Sequence, residues 1–350
     1  MYVVEENLIM QRRVSIKDVA REAGVSIGTV SNTLNRPNLV SPSTRSRVQE
    51  TIHALGFVRT EGARQLHGLP SPVVAVVVPQ GADPFGAELT HEVEKVAAEI
   101  SLGVMVHSDT PDDASRARYA SFLAAQRVLG VVVAVETDTD QVLTALRDYG
   151  LPCVTAGEDH GASLGYAVHT DDVAGARTVV QHLLQLGHEF IAYLDGPATQ
   201  RSRRRATGVA MALRAPGVAP RQELGLQAHA LTVDAGREAA RVLLGLRQRP
   251  TAVFCGDDRL ALGVLQCLYE AGVSVPEDMA LIGYGDSIHS ATAAVPLTSV
   301  SRSVPEIARH AIRMLAVEGA PHLQDSADEC AVVQPKLVVR RSSLRTVIHH

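Results

Sequence analysis

Residues 15–35 read SIKDVAREAGVSIGTVSNTLN, and their spacing predicts two short helices joined by a tight turn. Ser15 is placed to cap the first helix, and Asp18, three residues on, completes a capping box. Ile16, Val19, Ala20 and Ala23 recur at helical spacing and form an inward face. Gly24 suits the positive φ that a sharp helix exit requires. Ser26 is placed to cap the second helix, whose Val30 and Leu34 point inward at i and i+4. The residues left outward on it are small and polar: Gly28, Thr29, Ser31, Asn32 and Asn35.

A third helix follows, with Ser41 as N-cap and Pro42 at its first position. Val48, Ile52 and Leu55 give it an apolar face, so the three helices close a small core of their own. The charge of this region stands apart. Residues 11–68 hold nine Lys and Arg against four acids, the first ten residues carry two acids, and the whole chain is −5. A basic head therefore precedes an acidic body. A polar helix face without carboxylates, on a basic unit, fits phosphates and base edges of duplex DNA.

At 350 residues the chain has room for two or three domains. No apolar run approaches the roughly 20 residues of a membrane span. The first ten residues, MYVVEENLIM, carry Glu5 and Glu6 where a secretory signal has Lys or Arg. A cytoplasmic location is the expectation. Cys153, Cys255, Cys267 and Cys330 are widely spaced with no C-x-x-C pair, which predicts buried free thiols rather than a disulfide framework or metal site. GVSIG (24–28) formally matches the G-x-S-x-G nucleophile elbow, but that elbow needs a preceding strand and a large sheet. A capped helix stands there instead. There is no H-E-x-x-H and no phosphate loop. No enzyme activity, no cofactor and no metal are expected.

From residue 73 the pattern changes. VVAVVV (73–78) is a β-branched run of the kind buried on both faces of a parallel sheet. Strand and helix then alternate through MALIGYGD (279–286), a βαβ series of parallel sheets with helices on both faces. At about 280 residues the series suits two lobes better than one sheet. Ligands of such folds bind outside the carboxyl ends of strands. The segments there include Gln80–Phe85, Asp195–Arg205, Asp257–Arg259 and Tyr284–Asp286. Ordinary βα turns have the same composition. Residues 58–72 read as a linker stiffened at its end by Pro70 and Pro72.

Taken in order, IKDVAREAGVSIGTVSNTLN, VSPSTRSRV followed by LGF, DPF, HLLQLGH (182–188), RPTAVFCGDD, VPEDMALIGYGD, PLTSV and KLVVRRSS resemble the lactose-repressor and galactose-repressor family of bacterial transcription regulators. The resemblance runs from about Val14 to Ser343. It implies an all-α helix-turn-helix head and an α/β two-lobed body like periplasmic binding proteins, with two parallel doubly wound sheets. It further implies a homodimer on a pseudo-palindromic operator in double-stranded DNA, acting as a repressor, with a small effector (a sugar, nucleoside or similar metabolite) between the lobes. For DNA contact it carries over Ile16, Lys17, Ser26, Ile27, Gly28, Thr29, Ser31, Asn32, Asn35, Ser41 and Thr44. The hinge match at Ala63, Arg64, Gln65 and Leu66 adds Ala63 and the minor-groove wedge Leu66. For the effector it carries over Phe85, Arg205 and Asp258, with Phe85 packing on a ligand face and the other two bonding hydroxyl or carboxylate groups.

Three departures bear on the operator. Asn32 stands where members commonly have Arg, which shifts the preferred base from guanine to adenine. Gly28 removes a base-reading side chain. Arg59 replaces a usual Pro, and Gly62 lies inside the hinge, where Gly costs about 1 kcal/mol relative to Ala in a helix. The domain bounds expected are an N-terminal extension over 1–13, the head over 14–58, the hinge over 59–72 and the body over 73–345. Within the body, lobe 1 is expected at about 73–170 and 298–326, and lobe 2 at about 171–297 and 327–345. The C-terminus has no Leu heptad, so no tetramer is expected. A sugar-binding protein without a regulatory DNA role is the alternative that the body alone would permit.

Overall fold

The computed structural model describes residues 14–57, 71–81, 83–110, 112–134, 139–157, 166–214, 224–318 and 330–344. The hinge, with Ala63 and Leu66, lies outside the described residues. The chain divides into two compact units, Met1–Ser71 and Pro72–His350.

In the first unit, α1 (Ile16–Glu22), α2 (Ile27–Asn35) and α3 (Pro42–Leu55) form where the capping residues place them. The box at Ser15 is complete: Asp18 N donates to Ser15 Oγ at 3.4 Å and Ser15 N donates to Asp18 Oδ2 at 3.0 Å. Gly24 takes φ +63° at the turn. Ser26 and Ser41 cap α2 and α3, and Gly56 closes α3 at φ +62°. Val19, Ala20, Ala23, Val30 and Val48 are buried together, with Ile16, Leu34, Ile52, Leu55 and Phe57 packed around them.

The second unit holds two six-stranded sheets. Lobe 1 comprises β1 (Val73–Val78), β2 (Gly103–Ser108), β3 (Gly130–Val133), β4 (Cys153–Ala156), β5 (Tyr166–Thr170) and β11 (Cys330–Val333). Their spatial order is β11-β5-β4-β3-β1-β2, all parallel. Lobe 2 comprises β6 (Ile191–Asp195), β7 (Leu224–Gln227), β8 (Ala252–Cys255), β9 (Ala280–Gly285), β10 (Thr298–Ser301) and β12 (Lys336–Val338). Their order is β12-β10-β9-β8-β6-β7. The helices are α4 (Pro84–Glu99), α5 (Asp113–Ala125), α6 (Thr139–Asp148), α7 (Asp172–Gln185), α8 (Gln200–Leu213), α9 (Val233–Leu244), α10 (Asp258–Glu270), α11 (Ile288–Thr292) and α12 (Val304–Glu318). Residues 74–77 of β1, the valines of β3 and the apolar residues of β8 and β9 are buried on both faces, as a sheet covered by helices on each side requires.

Three expectations are corrected. β10 pairs with β9 in lobe 2, and β11 pairs with β5 in lobe 1. The lobe assignment expected for 298–301 and 330–333 is therefore exchanged. The chain crosses between lobes near residues 171, 302 and 334, and the last two lie beyond the sequence bounds at 298 and 327 because β10 finishes in the lobe 2 sheet and β11 in the lobe 1 sheet before the chain leaves them. Second, β12 runs antiparallel to β10, so the lobe 2 sheet is mixed at one edge. Third, Cys330 is exposed while Cys153, Cys255 and Cys267 are buried. Cys330 opens edge strand β11, where alternate residues face outward.

Each sheet has a point where strand order reverses, between β1 and β3 in lobe 1 and between β6 and β8 in lobe 2. Crevices form outside the carboxyl ends at such points. The ends of β1, β6, β8 and β9 carry Asp83–Glu88, Asp195–Arg205, Gly256–Arg259 and Tyr284–Ser287.

Candidate functional site

The head presents α2 with neither an acid nor a base along its length. Ile27, Gly28 and Asn32 are exposed, and Thr29 and Ser31 are half-buried. Ser26 Oγ accepts from Thr29 N at 3.0 Å and meets Thr29 Oγ1 at 2.9 Å, so one side chain both caps the helix and sets its neighbour's hydroxyl. Thr33 is buried and donates to Thr29 O at 2.9 Å. Lys17 is exposed and Ile16 half-buried at the start of α1. Ser41 caps α3 and donates to Thr44 Oγ1 at 2.9 Å. Asn35 ends α2, and its side chain lies outside the described residues. Of the predicted contact positions, Ile16 also packs against the head's buried core.

In the body, a cleft of about 530 Å³, its open mouth included, lies where the strand ends converge. Phe85, Arg205 and Asp258 all line it. Arg205 enters from α8 and is buried. Its Nε and Nη2 donate to Asp195 Oδ2 and Oδ1, each at 2.9 Å. Its Nη1 lies 3.7 Å from Asp172 Oδ1 and makes no hydrogen bond. Burial works against the guanidinium charge, but the Asp195 and Asp172 carboxylates outweigh it and hold the proton more tightly than usual. Asp195 also accepts from Gly196 N and from the Tyr193 hydroxyl. Asp172 accepts from the Tyr284 hydroxyl at 2.7 Å. Burial would raise the Asp172 carboxyl, yet Arg201 and Arg205 together hold it below the usual carboxylate range. The Arg205 guanidinium lies 5.2 Å from the Tyr284 ring centre.

Asp258 sits one residue inside α10, whose N-cap is Asp257. Its Oδ2 accepts from Ser287 N and its Oδ1 from Ser299 Oγ, both at 2.7 Å. Burial pushes its carboxyl up. Gly283 makes the place for it, since a Cβ there would overlap the Asp258 carboxylate.

From lobe 1, Asp83 caps α4 by accepting from Gly86 N at 2.8 Å, which fixes Phe85 and Glu88 on the first turns. The Arg302 guanidinium carbon stands 3.5 Å from the Phe85 ring centre. One ring face is therefore covered by a cation. Arg302 lies on an interlobe crossing, and its carbonyl accepts from Thr170 Oγ1 at 3.1 Å on another crossing. Asp171 N to Val333 O and Ser303 Oγ to Gln334 O, each 3.0 Å, tie in the third. Ser303 holds φ +53°, a left-handed conformation uncommon outside Gly.

Sequence reasoning placed the four cleft segments but missed Glu88, Arg201 and Arg302 as lining residues. Arg201 and Arg205 are four apart on α8 and share its buried face, whereas Arg203 is exposed. That i, i+4 spacing was the signal available. Among the described residues no cluster of His, Cys, Asp or Glu could hold a metal, and no helix is long and apolar enough to cross a membrane.

Residues 15–60 match the description "Bacterial regulatory proteins, lacI family", and residues 180–343 match "Periplasmic binding protein-like domain". The chain is similar to the HTH-type transcriptional regulator DegA of Bacillus subtilis (strain 168), with 31% identity over 337 residues, 95% of this chain and 98% of the relative. Among solved structures it is similar to the transcriptional regulator CelR in complex with cellobiose, with 30% identity and a TM-score of 0.69 over 95% of this chain and all of that one (100%). It shares the fold of the Lac repressor dimer bound to operator and the anti-inducer ONPF, with a TM-score of 0.79 at 24% identity, over 95% of this chain and 100% of that one. With a helix-turn-helix head, a two-lobed ligand-cleft body and a full-length regulator at this identity, the chain belongs to the lacI family of bacterial regulatory proteins and is a transcriptional regulator.

Proposed function

We propose that the protein is a cytoplasmic homodimeric repressor without catalytic chemistry, released from or fixed to its operator by a small oxygen-rich metabolite in the cleft. The observation that carries this is Arg205 Nη1, a buried cationic donor without a hydrogen bond on a residue that lines the cleft. A buried donor left unsatisfied costs about 1–3 kcal/mol, which a ligand oxygen recovers. Arg205 and Asp258 grip the ligand from lobe 2, and Phe85 under Arg302 walls it from lobe 1. The likeness to CelR with bound cellobiose supports a sugar.

In each head, α2 enters the major groove. Lys17, Ser26, Ser41 and Thr44 contact phosphates with Ile16. Ile27, Gly28, Thr29, Ser31, Asn32 and Asn35 face base edges. Ala63 and Leu66 serve the minor groove at the operator centre. The crossings bonded through Thr170, Arg302 and Ser303 convert a change of lobe angle into a change of hinge spacing. A ligand does this only through its different affinity for the two lobe arrangements. When the two heads no longer fit both half-sites together, the effective-concentration advantage of paired binding is lost.

The test is a thermal-shift screen of sugars, nucleosides and small acids on the full-length protein, followed by duplex titration with each stabilising compound. At least one compound is expected to raise the unfolding temperature and change operator affinity at fixed salt. Compounds that stabilise the protein and leave its DNA affinity unchanged would overturn the switch.

A further inference from the structure

The two walls of the cleft differ in charge: the lobe 1 wall is acidic and the lobe 2 wall mixes acids and bases. The described lining from lobe 1 is Asp83, Pro84, Phe85 and Glu88, with two carboxylates and no base. Lobe 2 supplies three bases, Arg201, Arg205 and Arg259, and two acids, Asp257 and Asp258. Asp83 is engaged, capping α4 and lying 4.0 Å from Arg259 Nη1 across the cleft. Glu88 is different. It is half-buried on α4 and makes no hydrogen bond or ion pair among the described residues. Burial most of all, and the carboxylates of Asp286, Glu92 and Asp258, raise its carboxyl above the usual range, against the Arg302 guanidinium. A carboxylate withdrawn from water among more acids than bases gains most from a cation placed beside it.

Among the groups that line the cleft without a hydrogen bond are an acceptor on lobe 1 (Glu88) and a donor on lobe 2 (Arg205 Nη1). A ligand that spans them needs a hydrogen-bearing cation at one end and an oxygen acceptor at the other. From this complementarity we infer that the effector is an amino sugar, its ammonium on Glu88 and a ring or hydroxyl oxygen on Arg205. The inference rests on the reading of the cleft as the effector site. Glu88 is then the residue that selects amine over hydroxyl, and by drawing lobe 1 onto the ligand it favours the closed arrangement.

Matched pairs test it directly: glucosamine with glucose, galactosamine with galactose, and mannosamine with mannose, titrated calorimetrically into the full-length protein at a pH that keeps the amine protonated. At least one amino sugar is expected to bind about tenfold or more tighter than its hydroxyl partner, the difference between a charge-assisted and a neutral hydrogen bond. Glu88→Gln is expected to bring that pair within about threefold by weakening the amino sugar alone. An unchanged urea midpoint for Glu88→Gln would establish that the variant is folded, and Glu88→Asp gives a second carboxylate at shorter reach, expected to retain part of the preference. Neutral sugars that bind as well as aminated ones, with binding abolished by Arg205→Lys, would overturn the amine and leave the cleft reading standing. Amino-sugar binding that neither Glu88→Gln nor Arg205→Lys alters would overturn both. Failure of all three amino sugars to bind would overturn the amine.

Discussion

Arg205 and Asp195 meet as a buried fork, two parallel N–H···O bonds of 2.9 Å, and the geometry that satisfies them leaves Nη1 without a hydrogen bond, 3.7 Å from Asp172 Oδ1. The pair serves both stability and recognition. Removing one partner of a buried pair strands the other charge, at a cost of about 3–5 kcal/mol. Arg205→Ala is expected to lower unfolding free energy by that order in urea titrations. Arg205→Lys, which keeps the charge but loses the fork, is expected to be less destabilised and to lose the effector's influence on DNA affinity. Loss of under about 1 kcal/mol in Arg205→Ala would show that the fork is not a stabilising pair.

Asn32 is exposed at the middle of α2, with no charge on that helix to mask it. Asn pairs with adenine through two hydrogen bonds, whereas Arg pairs with guanine O6 and N7. Asn32→Arg is expected to shift one symmetric position of each half-site from A·T toward G·C, by about 1–3 kcal/mol per base pair. Competition titrations with single-substituted duplexes read this. A uniform change across all positions would place Asn32 on the phosphates instead.

Gly283 leaves the space that the Asp258 carboxylate occupies. Gly283→Ala is expected to push Asp258 out of its bonds to Ser287 and Ser299, with an overpacking cost of about 1–3 kcal/mol. Stability and ligand response are expected to fall together. A variant that keeps wild-type ligand response would remove Asp258 from the ligand contacts.

His182 joins the C-terminal segment to lobe 2. Its Nε2 lies 3.1 Å from Ser343 Oγ, which lies 2.7 Å from Thr298 Oγ1. Burial lowers the imidazole's affinity for a proton. A folded-state value below the unfolded one means stability fully present above the ordinary imidazole range and lost as pH falls through the folded value. Urea midpoints of the wild type are expected to fall between neutral and mildly acidic pH more than those of His182→Gln. Equal slopes would show that His182 does not couple to folding.

The head was legible in the sequence because its determinants are local. Ser15 with Asp18, Gly24, Ser26 and Ser41 each act within four residues of the place they organise. The alternation of strands and helices in the body was legible for the same reason. The interlobe crossings were not. Whether Thr298–Ser301 joins lobe 1 or lobe 2 depends on pairing with Ala280–Gly285 rather than on its own four residues. Likewise the contact of Arg302 with Phe85 joins residues far apart in the chain. The cleft segments could be named from the ends of apolar strands, but which acids and bases share the cleft appears only when the lobes face each other.

The most direct measurement is selection of duplexes by the full-length protein from a random library, with the enriched sequences titrated by fluorescence anisotropy at fixed salt. Two copies of one head on a symmetric dimer are expected to enrich inverted repeats, bound at least about 10³-fold more tightly than random duplex. Enrichment of sequences without inverted symmetry, or no preference over random duplex with or without metabolites, would contradict a dimeric regulator that reads its operator through these heads.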